Sequence, residues 1–215
     1  MAERIDVYDA NLGHLGVMER VRAHEEGQWH KTFHCWVITR VEGGALLFQM
    51  RSSQVSSYPG TLDISAAGHL EAGEDIPQGI REVSEELGVS IAMDDLVSLG
   101  YRVEVADQPG GQKNREYQAV YLVCLDTPLE DYDPQVEEVA GLLWIGLGDA
   151  LSLFSGATRS AAMWGVEYDS DSGAWEPIRR EVDLEAFLPR TQNYYLTVAI
   201  MAERFLEGRF PLAIS

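Results

Sequence analysis

Arg81, Glu82, Glu85 and Glu86 fall within six consecutive positions of the stretch REVSEELGV. At about 100° of rotation per residue, a helix here groups Ile80, Val83 and Leu87 in a sector of roughly 60° and turns the three glutamates to the opposite side, with Glu85 and Glu86 expected toward solvent. Like charges at i,i+3 and i,i+4 repel, and Arg81 is the one basic residue in the helix. Several carboxylates on one rigid scaffold suit Mg²⁺ or Mn²⁺, hard ions that keep waters and bind substrate phosphates. A solvated acidic face is the competing reading, so the neighbouring residues decide.

Those neighbours form a longer pattern. Gly68, Glu74, Arg81, Glu82, Val83, Glu85, Glu86, Gly88 and Val89 resemble the signature of the Nudix hydrolase family, with a spacer between Glu74 and Arg81 one residue shorter than usual. The resemblance implies an α+β fold of α/β/α sandwich type, a mixed sheet flanked by helices, that holds divalent metal against a diphosphate. Glu82, Glu85 and Glu86 would be ligands, joined by a backbone carbonyl at Ala67 or Gly68, and Arg81 would orient them by ion pairing. These four charged residues are the expected catalytic set, with Mg²⁺ or Mn²⁺ as cofactor. The general base in this family varies; Glu82 is one candidate, and Glu137 or Glu138 of the stretch QVEEV is another, with a solvated loop as the alternative for that pair.

The likeness extends to WHKTFHCWVI, FQMRSSQVSSYPGTLDISAAGHLEAGE and NREYQAV, which are similar to the isopentenyl-diphosphate isomerase branch of the same superfamily over roughly residues 3 to 150. By that resemblance His24, His30, His69 and Glu116 match metal ligands, a set suited to Zn²⁺ or Mn²⁺; ordinary hydrogen-bonded residues lining a cleft are the alternative. Asn114 stands where the branch has another glutamate. Arg51 matches a diphosphate-holding arginine, whereas Val55 replaces a phosphate-binding lysine, for which Lys113 or Arg115 would have to substitute. His69, Glu116 and Glu138 are further candidates to line the substrate. Isomerases carry a cysteine immediately before the Gly-His pair, and this chain has Ala67, whose methyl group transfers no proton. The hydrolytic carboxylates are present and the acid–base thiol is missing. The expected activity is therefore hydrolysis of a diphosphate linkage in a nucleoside diphosphate derivative or related organic diphosphate; a noncatalytic ligand sensor and an isomerase are the alternatives.

The elements that must position these residues are legible in outline. Residues 4 to 20 read as two short strands around a turn at Asn11 to Gly13, and HKTFHCWVITRVEGGALLFQMRS as a hairpin turning at Gly43-Gly44. SSYPGTLDIS reads as a loop. LVSLGYRVEVA and REYQAVYLVCL follow the charged helix as strands separated by the loop DQPGGQKN. LLWIGLGDALSLF reads as a strand entering a helix, and TQNYYLTVAIMAERFLEGRF as an amphipathic helix closed by Gly208. We expect a Nudix domain over residues 1 to 155, and a helical extension over 156 to 215 that packs on it and contains an exposed loop at EYDSDSGAWEP.

Composition narrows the partners. The 215-residue chain has a net charge of −19, and no Lys/Arg stripe offsets that field, which opposes nucleic-acid backbones and anionic membranes. No apolar run approaches the roughly 20 residues of a membrane span, and the N-terminus lacks a secretory pattern; the expected location is the cytoplasm. Cys35 and Cys124 sit in apolar strand-like runs and read as buried thiols. The expected partner is a small-molecule diphosphate, and a homodimer is left open.

Overall fold

The structure is a computed structural model that describes residues 2–108 and 111–214. In chain order it contains β1 (Arg4–Tyr8), β2 (His14–Glu19), α1 (Arg20–Glu26), β3 (His30–Thr39), β4 (Ala45–Arg51), β5 (Leu62–Asp63), β6 (Ala66–His69), α2 (Arg81–Leu87), β7 (Val97–Asp107), β8 (Lys113–Cys124), β9 (Val139–Gly146), α3 (Leu147–Phe154), β10 (Ala161–Asp169), β11 (Ala174–Val182) and α4 (Tyr194–Leu206). β1 and β2 form a separate antiparallel ribbon. The other strands make a nine-stranded sheet ordered β11-β10-β9-β4-β3-β8-β7, with β5 on β4 and β6 on β3. The β3–β8 pairing is parallel and its neighbours are antiparallel, so the sheet is mixed.

Strand alternation divides the core into two layers. Phe33, Cys35, Val37 and Leu47 meet Val83 and Leu87 of α2 on one face. Trp36, Ile38, Leu46 and Phe48 meet Tyr194, Val198 and Ala202 of α4 on the other, together with Leu153 of α3. This is the α+β, α/β/α class expected from the sequence. The continuous apolar run of β3 follows from its place between two covered faces.

β3 and β4 form a hairpin only beside the Gly43-Gly44 turn, where Ile38 pairs with Leu46 and Thr39 with Ala45. They then splay, and residues 62–69 fill the wedge: β5 pairs onto β4 and β6 onto β3. The buried Ser65 hydroxyl spans the gap, accepting from the Val37 N–H at 2.9 Å and donating to the Leu47 carbonyl at 2.6 Å. One side chain thereby satisfies two backbone groups that the divergence leaves without ladder partners. The expected loop SSYPGTLDIS thus ends in a short strand.

The C-terminal expectation needs a larger correction. Residues 161–182 are a β-hairpin, not helix, and β10 pairs directly onto β9, with Met163 opposite Ile145 and Trp164 opposite Trp144. The sheet therefore crosses residue 155 without interruption, and only α4 of the extension is a long helix. The expected loop EYDSDSGAWEP is the tip of this hairpin: residues 170–173 turn, with Gly173 at φ 70°. Alternating runs on either side of an Asp-Ser-Gly turn carried that signal. Cys35 is buried and Cys124 half-buried, both free, and the expected loop DQPGGQKN lies partly outside the described residues, at 109–110.

Candidate active site

α2 is short and depends on tertiary anchors for its place. Its entrance is a 3-10 turn, Ile76–Ile80, opened by a reciprocal cap between Asp75 and Gln78. Gly79 lets this turn lie close on the sheet, because a Cβ there would press into the Phe33 ring at 2.6–2.8 Å. Gly88 ends the helix at φ 68° and donates its N–H to the Ser84 carbonyl. Val83 and Leu87 are wholly buried, which fixes the rotation of α2 about its axis.

That rotation sends the glutamates to different surroundings. Glu85 is exposed, whereas Glu82 and Glu86 are buried against β6. The solvent-side placement expected for Glu85 and Glu86 therefore holds for Glu85 and is corrected for Glu86: α2 leans on β6, so the stripe i,i+4 that holds Glu82 and Glu86 turns inward beside the Val83–Leu87 stripe. A Glu86 Oε2 atom accepts from the Ala67 N–H at 2.8 Å and from Gln49 Nε2 at 3.1 Å. Glu82 lies over Gly68, where a Cβ would fall within its carboxylate.

Arg81 clamps the group. Its Nε and Nη2 donate to the two oxygens of Glu74 at 3.0 and 3.1 Å, its Nη1 reaches Glu85 and Glu82 at 2.8 Å each, and Nη2 also donates to the His69 carbonyl at 3.0 Å. Glu74, displaced in sequence by the shortened spacer, still closes this clamp and also accepts from the Glu71 N–H at 2.8 Å. Burial pushes Glu82 up to about 7, aided by the charges of Glu85, Glu138 and Glu3 and opposed by Arg81. Burial likewise raises Glu86 well above the usual carboxylate range, with Glu82 and Glu138 adding to it and the Ala67 N–H opposing it. Two buried carboxylates that resist ionisation, flanked by Glu85 and by a glycine without a side chain, fit a hard divalent cation.

The second constellation converges too. His24 from α1, His30 from β3, His69 from β6 and Glu116 from β8 each offer a ligand atom within 4.8 Å of the others. Register explains it: β3 and β8 set His30 beside Glu116, and β3 and β6 set Thr32 beside His69. His24 lies 3.0 Å from His69 through their Nε2 atoms and 3.1 Å from Asn114 Oδ1 through Nδ1. His30 Nδ1 meets the Gln28 carbonyl at 2.9 Å, while its buried Nε2 has no hydrogen-bond partner among the described residues. Burial pushes His24 down to about 4, helped by the charges of His30 and Arg20. His69 falls well below the usual range, also through burial. Burial opposes the Glu116 charge, yet the His30 ring 3.8 Å away, His69 and the amide hydrogen bond from Gln118 hold that carboxyl well below its ordinary value. His24 and His69, held neutral by burial, beside an ionised carboxylate are a set ready to bind metal, and with His30 suit Zn²⁺ or Mn²⁺.

Other expected residues take varied places. Arg51 ends β4, donates through Nε to the Ser57 carbonyl at 2.9 Å and lies 3.6 Å from Asp63. Glu137 and Glu138 are both exposed, and the charge of Glu138 reaches Glu82 and Glu86. Lys113 and Arg115 pack beside Gly27, and Arg115 pairs with Asp107 at 2.7 Å.

Sequence reasoning missed a buried polar layer on the α4 face. Arg190 grips Asp63 through two bonds of 2.6 and 2.9 Å and reaches Glu104 at 3.3 Å. Arg102 donates to Glu104 and to Thr191, and Gln118 joins Glu104 to Glu116 at 3.2 and 2.7 Å. The Tyr194 hydroxyl accepts from Trp36 Nε1 and meets His34 Nδ1, each at 3.0 Å. The visible signal was the alternation of Arg102 and Glu104 with apolar residues in a strand whose polar side faces inward.

Comparison with known proteins bears on the family and the fold. The NUDIX domain model matches residues 28–163. The chain belongs to the Nudix hydrolase family. An uncharacterized Nudix hydrolase of Clostridium acetobutylicum is 30% identical over 198 residues, covering 91% of this chain and 95% of that one. An isopentenyl-diphosphate Delta-isomerase of Burkholderia multivorans is 25% identical over 165 residues, covering 76% and 89%. Among solved structures, DR0079 of Deinococcus radiodurans superposes with a TM-score of 0.55 at 21% identity, over 72% of this chain and 90% of that one, which speaks for the Nudix fold alone. Among the described residues no helix is long and apolar enough to cross a membrane.

Proposed function

We propose that this Nudix-family protein is a cytoplasmic Mg²⁺- or Mn²⁺-dependent hydrolase that cleaves a diphosphate linkage in a small nucleoside diphosphate derivative or related organic diphosphate, with neither nucleic acid nor membrane as partner. The observation that carries the reading is the intact carboxylate group Glu82, Glu85 and Glu86, clamped by Arg81 and Glu74 against a glycine that leaves room for it. Bound to these carboxylates and to a carbonyl at Ala67 or Gly68, the cation would withdraw charge from the phosphoryl oxygens and acidify the attacking water.

The chain's own residues divide the remaining work. Arg81 holds Glu82 and Glu85 at fixed positions, so little reorganisation accompanies the reaction. Arg51, at the end of β4, would supply positive charge for the second phosphate. Glu138 stands on the loop before β9, close enough for its charge to reach Glu82 and Glu86, and is the leading candidate to accept the water's proton. Ala67 supplies no proton to a carbon skeleton, which argues against isomerisation. The group His24, His30, His69 and Glu116 would hold Zn²⁺ or Mn²⁺ as a separate site that helps wall the substrate.

The test is a screen of nucleoside diphosphate sugars, dinucleotides, nucleoside triphosphates, coenzymes and prenyl diphosphates with Mg²⁺ or Mn²⁺, in the wild type and in Glu86→Gln. The expected result is metal-dependent release of phosphate or a nucleoside monophosphate from at least one compound, lost at least about a hundredfold in the variant. Ligand binding without turnover across the panel would replace the enzyme by a sensor, and isomerisation of isopentenyl diphosphate would overturn the hydrolase assignment.

A further inference from the structure

β7 is polar inside and apolar outside. Arg102 and Glu104 are 5% and 3% exposed, while the alternate residues Tyr101, Val103 and Val105 are 56%, 41% and 54% exposed. β7 also ends the nine-stranded sheet, so among the described residues its outer edge from Gly100 to Ala106 has no strand beside it. Free edges are commonly blunted by lysine, proline or a bulge, or by inward-pointing charges; the inward Arg102 and Glu104 are paired within the fold and with each other's side chains, so they leave the outer backbone groups open. Residues 97–107 contain no lysine or proline, and the irregularity of this strand lies upstream, between Ser98 and Gly100.

We propose that β7 is the contact of a two-fold symmetric homodimer, in which its Gly100–Ala106 segment pairs antiparallel with the same segment of a second copy, centred on Val103. A two-fold contact requires a surface that complements itself, and this segment does. About Val103, Tyr101 falls opposite Val105 of the partner subunit, an aromatic–β-branched pair of the kind that stabilises sheets. Arg102 falls opposite Glu104 of the partner subunit, and the small Gly100 opposite Ala106 of the partner subunit. No like charges meet.

Other centres fail. A two-fold at Arg102 or at Glu104 sets like charges opposite one another. A two-fold at Tyr101 runs the partner strand across Leu99, whose carbonyl already accepts from the Ile214 N–H of the C-terminal tail at 2.9 Å. On the Val103 centre those tails bound the ladder at both ends. The long-range field opposes association, since each copy carries −19. Salt shortens the screening length from about 10 Å at 0.1 M to about 3 Å at 1 M, so the dimer tightens as salt rises, opposite to a contact held by surface charge.

Sedimentation velocity of the full chain over a concentration series, at low and high salt, gives the first test: a concentration-dependent dimer that strengthens with salt is expected. Val103→Lys brings two ammonium groups face to face and weakens it at least about tenfold, with the melting temperature nearly unchanged at concentrations where the wild type is dissociated, because residue 103 is exposed in the single copy. Register is tested by oxidation of cysteine variants against the unmutated protein. Opposed strand residues have Cα separations of about 4.5–5.5 Å, inside the disulfide range of about 4.4–6.8 Å. Val103→Cys should therefore cross-link, Tyr101→Cys and Val105→Cys alone should not, and the double variant Tyr101→Cys/Val105→Cys should. A monomer at every concentration and salt, a dimer indifferent to Val103→Lys, or cross-linking of Tyr101→Cys alone as fast as of Val103→Cys would each overturn the proposal.

Discussion

Glu82→Gln should stabilise the metal-free protein while abolishing its activity. Burial against β6 pushes Glu82 up to about 7 from an ordinary 4.5, so the folded state holds this proton more tightly than the unfolded chain does. Its contribution to stability is then fully present below about 4.5 and is lost as pH rises through about 7. At pH 8 the ionised carboxylate costs the fold roughly 3 kcal/mol, from about 1.4 kcal/mol for each pH unit of that interval. Glutamine of the same shape never ionises and escapes the cost. For a chain of this size that difference corresponds to roughly 6–12 °C in melting temperature. The assay is thermal unfolding of wild type and Glu82→Gln in EDTA at pH 8 and pH 5, repeated with Mg²⁺. The variant should melt higher at pH 8, nearly level with wild type at pH 5, and only wild type should gain from Mg²⁺. A variant less stable than wild type at pH 8 in EDTA, or one whose gain is the same at both values, would refute the desolvation argument.

Two further substitutions test the surroundings of the site. Gly68→Ala places a methyl group within the Glu82 carboxylate without altering any charge; kcat/KM should fall about a hundredfold by misplacement, with a melting loss equivalent to about 1–3 kcal/mol, and full activity would show that Glu82 is not held over residue 68. Arg190→Leu leaves Asp63 and Glu104 buried without their shared cation and should lower the urea-unfolding free energy by about 3–5 kcal/mol, whereas a loss near zero would mean that the polar layer does not tie the C-terminal segment to the sheet.

What the sequence disclosed and what it withheld follow from the range of the interactions. The glutamate stripe and the strands β1 to β4 and β7 to β9 rest on local periodicity and turns, and were legible, whereas the Arg81 clamp was implied by the family resemblance alone. Helix periodicity also separated Val83 and Leu87 from the glutamates, but it contains no information on how α2 leans, so it could not tell the buried Glu86 from the exposed Glu85. That distinction is made by the Ala67 N–H and Gln49, remote in sequence. The polar layer was hidden for the same reason: Arg190 and Asp63 are 127 positions apart, and neither looks unusual in its own segment. The hairpin of β10 and β11 is a different kind of miss, because its alternation was visible but was outweighed by the helical pattern that follows it.

The four residues of β6 separate the two chemistries that the sequence resembles. Successive side chains of a strand point to opposite faces, and here Ala66 joins the core under α2 while Ala67 packs against the core under α4. By the same alternation Gly68 turns toward Glu82, and His69 turns with Ala67 toward the face of His34, Glu116 and Gln118. A side chain at residue 67 therefore lies on the histidine face, although its own backbone N–H anchors Glu86. Replacing a proton-donating thiol by a methyl group at this position leaves that N–H in place, and with it the carboxylate group on the other face. The proposed hydrolytic site can thus remain complete in a chain that has Ala67 where the isomerases have a cysteine, because only the backbone of Ala67 would belong to the first and only its side chain to the second.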